Sequence, residues 1–183
     1  MDCLLGHDAE NGKESAVKIT HEFIYEGLKG SAASAGHIDL SAVADCLKVN
    51  LISWELSKNI TSKVCARHGV VHLVINQQFE RNTPIFRFIA AHAIGHIALG
   101  HLTSDSELTD EMYNYRMPGA LEAEQAATRW GIELLAPQHL ARLIIKKESN
   151  PQRALVDQFM ISAQVADYLI NQENRKIHSK AGS

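Results

Sequence analysis

The sequence predicts an α+β fold in which a small antiparallel sheet packs against helices. Three β-like runs follow one another, "NLISWEL", "TSKVCAR" and "VVHLVIN", and short turn-prone pieces separate them. Two longer stretches, 84–102 and 120–137, carry apolar residues at helical spacing. These observations predict a three-stranded antiparallel sheet followed by two long helices.

The bulk composition indicates one ordinary globular domain. The chain has 183 residues, a length that fits a single domain or one domain with a small appendage. Its net charge of −3 gives no reason to expect direct binding to nucleic acid or to an anionic membrane. The three cysteines Cys3, Cys46 and Cys65 are an odd number without paired spacing, which favours a reducing compartment. Because the first residues also lack a signal-peptide pattern, we expect a cytoplasmic protein.

The remaining segments complete the predicted domain organisation. Residues 1–14 are predicted to be disordered, and "ESAVKITHEFIYEGL" and "HIDLSAVADCLK" to be helical, the latter with Asp39 or Ser41 as N-cap. The polar segment 103–119 is predicted as a long irregular connection of the kind that borders a site. Further helices are expected near 138–147 and 151–171. The predicted units are a main domain over 15–137, a helical subdomain over 138–172 and a polar tail over 173–183.

Two histidines in the stretch "AAHAIGHIALGH" suggest a metal site. His92 and His96 are four residues apart, so on a helix both imidazoles project from the same face. Zinc prefers nitrogen and sulfur ligands in tetrahedral geometry. Glu124 on the following helix is a natural third ligand, whereas Glu122 is two residues away and points elsewhere. The ordinary interpretation of an isolated HxxxH is a pair of hydrogen-bonded core or surface histidines.

The segment around Glu124 adds a resemblance to a known family. Together with "HIDLSAVADCLKVNLISW", "VVHLVINQQFERNTPIFRFIAAH" and "DQFMISAQVADYLI", it makes residues 35–170 resemble the ImmA/IrrE zinc metallopeptidases. That family combines a helix-borne HExxH with a second helix of pattern E-x-x-A-x-x-(aromatic)-(small)-x-x-L-L-x-P. Lys48 departs from the family, which usually has glycine there. The residues that match the second-helix pattern are Glu124, Ala127, Trp130, Gly131, Leu134, Leu135 and Pro137.

The resemblance implies a zincin-like metallopeptidase with a small C-terminal helical subdomain. It implies one Zn²⁺ ion held by His92, His96 and Glu124, and hydrolysis of a peptide bond. Such proteins commonly act on, or pair with, helix-turn-helix regulators in phage, mobile-element, stress or toxin–antitoxin systems. The expected function is therefore a regulatory endopeptidase or toxin component whose partner is such a regulator or an antitoxin. The oligomeric state stays open.

Ala93 is the serious departure from the family pattern. In the HExxH mechanism the glutamate at this position takes a proton from the zinc-bound water and passes it to the leaving amine. Alanine cannot accept a proton, so this chain is expected to bind metal but to be inactive or nearly so. One explanation is an engineered substitution, which the intact ligands and second-helix pattern favour. The other is a natural pseudoprotease that binds a partner without cleaving it, and a helical protein with incidental histidines is a third possibility.

Several other residues are candidates for supporting roles. His101 lies nine residues after His92, and Leu99 stands where metzincins carry glycine, so His101 is predicted to lie outside the ligand set. His101, Tyr113, Tyr115 and Arg116 each remain candidates to stabilise a tetrahedral intermediate. Cys65 can be a ligand chemically, but a small buried apolar role is favoured.

Overall fold

The computed structural model describes residues 19–28, 37–102, 107–111 and 120–181. The predicted disordered segment 1–14 lies outside these residues. The described part of the chain has an α+β architecture, as predicted, with seven helices and four strands. The elements are α1 (His21–Gly27), α2 (Leu40–Cys46), β1 (Val49–Trp54), β2 (Ile60–Arg67), β3 (Val70–Asn76), α3 (Pro84–Ala98), β4 (Glu107–Glu111), α4 (Ala120–Leu135), α5 (Gln138–Lys147), α6 (Pro151–Phe159) and α7 (Ala163–Ala181).

The sheet differs from the predicted three-stranded antiparallel meander. Its strand order is β1-β3-β2-β4, and β1 runs parallel to β3, while β2 is antiparallel to both of its neighbours. Since β3 lies between β1 and β2, the connection after β1 is not a hairpin turn, and the buried Asn76 side chain at the end of β3 donates to the carbonyls of Leu56, Ser57 and Ile60 along it. These bonds hold the end of β1 beside the end of β3, and Trp54 is opposite Asn76 in the register. The antiparallel prediction for β1 is therefore wrong.

The hairpin between β2 and β3 follows the prediction. His68 and Gly69 at its turn both have positive φ, 51° and 75°, a combination typical of the tight turns whose twist matches the strands. The hairpin carries Val64, Leu73 and Ile75, which are at most 1% exposed. This pair of strands forms the surface against which α3 packs.

The fourth strand, β4, lies within the segment predicted to be irregular. It pairs antiparallel with β2, and the register shifts between Ile60 and Ser62. Its sequence, ELTDE, has one apolar residue and no apolar alternation, so sequence patterning gave no strand signal. Backbone pairing with β2 holds this segment as a strand, although its side chains show no apolar alternation.

The two short N-terminal helices are capped by side chains. Asp39, one of the two predicted candidates, is the N-cap of α2 and accepts hydrogen bonds from the amides of Ser41 and Ala42. Thr20 caps α1, whose Tyr25 hydroxyl donates to the carbonyl of Leu134 over 3.0 Å. These contacts attach α1 to the end of α4.

Lys48, directly after α2, has a φ of 55°. This left-handed backbone favours glycine, because a Cβ crowds the following carbonyl. The glycine that the ImmA/IrrE family usually has at this position suits such a turn.

The long helix α3 is buried over most of its length. Thr83 caps it by accepting from the Phe86 amide, and Pro84 occupies the first turn, as predicted. It ends at Ala98 rather than at Leu102, because Gly100 adopts a φ of 70° and terminates the helix. His101 consequently leaves the helix and follows a different path.

Helices α3 and α4 make direct backbone contact at two glycines. A Cβ at Gly95 would lie 2.6 Å from the Ala127 carbonyl oxygen, and one at Gly131 would lie 2.8 Å from the Ala91 backbone. Real Cβ atoms do not approach so closely. The absence of a side chain at both positions therefore permits the helix separation that brings one face of α3 against one face of α4.

Three helices, α5, α6 and α7, pack together at the C-terminal end of the chain. The single helix predicted over 151–171 is wrong, since Met160 has a φ of 50° and separates α6 from α7, and the Ser162 hydroxyl accepts from the Val165 amide at the new start. Helix α7 extends through most of the predicted polar tail. The division between main domain and helical subdomain stays a prediction. Among the described helices, none combines the length and apolar character that crossing a membrane requires.

We predict that Gly131→Ala destabilises the protein through its clash with α3. Alanine favours a helix interior by about 1 kcal/mol over glycine, but overpacking against a backbone that cannot yield costs about 1–3 kcal/mol. Because the clashing atoms belong to the α3 backbone, the cost lies at the upper end of that range, and the free energy of unfolding, measured by denaturant titration, is expected to fall by about 1–2 kcal/mol. Gln125→Ala, at an exposed position of the same helix, is the control and should be neutral. An unchanged Gly131→Ala variant would contradict the close helix contact.

Candidate metal centre

Four side chains from three elements converge beside the α3–α4 contact. They are His92 and His96 from α3, Asp110 from β4 and Glu124 from α4, and one nitrogen or oxygen of each lies within 4.8 Å of the others. Both histidines and Asp110 are at most 8% exposed. This buried group could hold a metal ion.

The two imidazoles and the Glu124 carboxylate, which turns one oxygen towards each ring, already lie at distances close to those between ligands of a tetrahedral site. Metal–ligand bonds of about 2.0–2.1 Å place neighbouring ligand atoms about 3.3 Å apart. His92 Nε2 is 3.1 Å from His96 Nε2 and 3.1 Å from Glu124 Oε2, and His96 Nε2 is 3.4 Å from Glu124 Oε1. The fourth, Asp110 Oδ1, is 4.0 Å from His92 Nε2.

The donor set is better satisfied by a cation than by its own protons. His92 Nε2 faces a histidine nitrogen and two carboxylate oxygens, but a single N–H can donate to only one of them. Two Nε2 atoms at 3.1 Å cannot both carry protons without repulsion. A divalent ion at the centre would bind all of these lone pairs at once, so the residues fit a metal.

Glu124 is held in its charged form. Burial opposes ionisation of its carboxyl group, but hydrogen bonds and favourable charge interactions with His92 and His96 outweigh burial and lower its pKa to about 2. An ionised carboxylate is the form that binds a metal ion.

Each histidine has a partner on its other ring nitrogen. Thr128 Oγ1 lies 3.1 Å from His92 Nδ1, and His101 Nδ1 lies 3.0 Å from His96 Nδ1. If Nε2 binds a metal, Nδ1 carries the proton and donates it to these partners, which fixes the tautomer and the ring orientation. Thr128 is four residues after Glu124 and therefore shares its face of α4.

His101 lies behind His96 rather than among the four ligand atoms. Burial lowers the pKa of His101, with a further contribution from the neighbouring His96, which suits a neutral ring that accepts a hydrogen bond. This position agrees with the expectation that His101 is not a metzincin-like third histidine. Its role in stabilising a reaction intermediate stays a prediction.

The other predicted candidates are distributed differently. Ala93 is fully buried in the hydrophobic core, and Glu122 is exposed. Cys65 is half-buried on β2 with a free thiol and is not part of the four-residue group. Tyr113, Tyr115 and Arg116 lie outside the described residues.

Sequence reasoning missed Asp110 and the hydroxyl that holds it. Ser62 Oγ on β2 donates to Asp110 Oδ2 over 2.5 Å, and both residues are buried. The only available signal was that 103–119 was expected to border a site. Without a recognised strand, nothing in the sequence specified which of its acidic residues faces inward.

No protein-family model matches this sequence, and no curated protein matches it. The resemblance to the ImmA/IrrE peptidases therefore stays a prediction, carried by the residues quoted above.

We predict that Thr128→Val weakens metal binding while leaving the fold intact. Valine has the shape of threonine but cannot accept the proton of His92 Nδ1, and loss of such an outer partner costs roughly 10–100-fold in affinity. Competition with a chromophoric zinc chelator would measure the change. Thr128→Ser keeps the hydroxyl and should bind like the unmodified chain. Equal losses in both variants would assign the effect to packing instead.

Proposed function

We propose that this protein is a zinc-binding, zincin-like domain of the ImmA/IrrE type, with a peptidase site that is impaired by Ala93. The observation that carries the proposal is the buried convergence of His92, His96 and Glu124, with ligand spacings of 3.1–3.4 Å. The left-handed backbone at Lys48, where the family has glycine, agrees with the same kinship.

Zinc is the metal that we propose for the site. Two imidazoles and a carboxylate are the protein ligands of many catalytic zinc sites, although sites of nitrogen and oxygen atoms also accept other divalent ions. When bound, such an ion polarises a carbonyl oxygen and makes water more acidic. Thr128 and His101 would orient the two imidazoles, and Glu124 would contribute negative charge.

Position 93 limits what this chain does with the metal. The residue beside His92 carries no group that accepts or delivers a proton, and loss of a general base typically lowers the rate by about 10²–10⁴-fold. We therefore propose a chain that retains the metal and hydrolyses peptides slowly. Its proposed protein partner, a helix-turn-helix regulator or an antitoxin, follows from the family resemblance alone.

A second candidate function is a non-catalytic module that holds such a partner. The observation that favours it is the burial of Ala93, which is 0% exposed and belongs to the hydrophobic core. A core position offers no ready space for a charged side chain. Partner binding without cleavage would then be the natural activity of the chain.

Metal analysis tests the site itself. We predict about one zinc ion per purified chain, because the three ligand spacings suit one ion, and we predict its loss in His92→Ala and in Glu124→Ala. Elemental analysis after dialysis against metal-free buffer would provide the measurement. His72→Ala, which removes an imidazole on β3 outside the cluster, is the matched control and should keep the metal. A zinc-loaded Glu124→Ala protein would refute the proposed ligand set.

Restoring a carboxylate at position 93 tests the peptidase proposal. Ala93→Glu is expected to raise hydrolysis of a mixed peptide library by about 10²–10⁴-fold, measured by mass spectrometry. Ala93→Gln is the matched control, because it has the same size but no proton-accepting carboxylate. If the folded, zinc-loaded Ala93→Glu protein cleaves no more than Ala93→Gln, the binding module is favoured over the impaired peptidase.

A further inference from the structure

The polar strand β4 directs one carboxylate into the protein and another towards solvent. Asp110 is 8% exposed, although β4 is an edge strand of the described sheet. Glu107, three residues earlier, pairs with Lys63 over 2.8 Å at the partly exposed surface. Because side chains alternate along a strand, residues 107 and 110 belong to opposite faces. Asp110 therefore belongs to the face of β4 that the histidines approach.

A strong hydrogen bond orients the buried carboxylate. Ser62 Oγ donates to Asp110 Oδ2 over 2.5 Å, while Oδ1 is the oxygen that lies 4.0 Å from His92 Nε2. The register irregularity between Ile60 and Ser62 occurs beside this pair, and such bulges commonly redirect a side chain next to a site. One oxygen is thus fixed by protein, and the other is left facing the ligand atoms.

The balance of charge favours two carboxylates, rather than one, around a divalent cation at this site. In the metal-bound state, in which imidazole ligands are neutral and carboxylate ligands ionised, the two histidines, Glu124 and Asp110 would contribute a net charge of −2. A divalent cation would make the buried group neutral, whereas Glu124 alone would leave one positive charge in the same place. Buried charge is costly unless it is paired, so the second carboxylate suits direct coordination.

We propose that Asp110 Oδ1 is the fourth protein ligand of the metal, which closes the site in its resting state. This inference rests on the metal site of the proposed function. The Asp110 oxygen is 4.0 Å from His92 Nε2, and the four ligand atoms lie within 4.8 Å of one another, so a shift of roughly 1–1.5 Å would give it the tetrahedral spacing of about 3.3 Å. Catalytic zinc sites usually keep one position for water, whereas sites with four protein ligands are structural. A water molecule or peptide carbonyl would therefore have to displace Asp110.

Cobalt substitution with azide as the probe tests whether the fourth position is closed. Tetrahedral Co²⁺ absorbs visible light, and its spectrum changes when an external anion enters the coordination shell. We expect azide to leave the spectrum of the Co²⁺-loaded protein unchanged and to alter that of Asp110→Ala, where the position is open. An azide response of the unmodified protein would overturn the proposal.

Zinc affinity, measured by chelator competition, supplies the second readout. Asp110→Ala should weaken binding by about 100-fold or more, beyond the loss expected for an outer partner, and Ser62→Ala by roughly 10-fold. Glu107→Gln, on the opposite face of the same strand, should be unchanged. Circular dichroism of the metal-free variants checks folding, and Asp110→Asn, which keeps the shape and loses the charge, replaces the alanine variant if that one is unfolded. Wild-type affinity in a folded Asp110 variant would overturn the proposal.

Different results would refute the metal site and the role of Asp110. If the unmodified chain binds neither Zn²⁺ nor Co²⁺, both the metal site and the role of Asp110 are refuted. If it binds one ion that His92→Ala loses and Asp110→Ala retains with full affinity, the metal site stands and the fourth ligand is refuted.

Discussion

The backbone contact between α3 and α4 is the constraint on which the site depends. Ala91 lies against Gly131, and Gly95 lies against Ala127, at distances that a β-carbon at either glycine would violate. Each contact lies next to a histidine, since Gly95 directly precedes His96 and Ala91 directly precedes His92. The same contacts fix how far Glu124 and Thr128 on α4 lie from the imidazoles. If the two helices lay farther apart by the width of one methyl group, the 3.1 Å distances from His92 to Glu124 and to Thr128 would lengthen.

The sheet supports this helix pair from the other side. The hairpin of β2 and β3 supplies an apolar surface to α3, with Leu73 and Ile75 fully buried. The same strand β2 also carries Ser62, which is fully buried and bonded to Asp110. The hairpin thus contributes both to the core that packs against α3 and to the orientation of the Asp110 carboxylate. The contacts that stabilise the fold are therefore also contacts that position the side chains of the site.

The local parts of this architecture could be predicted from the sequence, and the long-range parts could not. Helical spacing identified α3 and α4, and the i, i+4 relation of His92 and His96 together with Glu124 was available from pattern alone. The parallel pairing of β1 with β3 joins residues 22 positions apart, and the Asn76 side chain beside it binds carbonyls 16 to 20 residues away. Strand β4 and Asp110 depend on pairing with β2, roughly 48 residues earlier in the chain. Contacts of that kind leave no periodic trace in the sequence.

Ala93 and Asp110 bear on the same physical question, which is how the charge of a bound cation is balanced in a buried place. A glutamate at position 93 would add a negative charge to α3 next to His92, and a proton taken up there during hydrolysis would neutralise it. Here the second carboxylate is that of Asp110 on β4, and its Oδ2 atom already accepts a hydrogen bond from Ser62. A carboxylate tied in this way is suited to balancing charge and poorly suited to carrying protons. At the proposed site, the position of the second carboxylate would therefore decide, more than the number of ligands does, whether a metal is held or reacts.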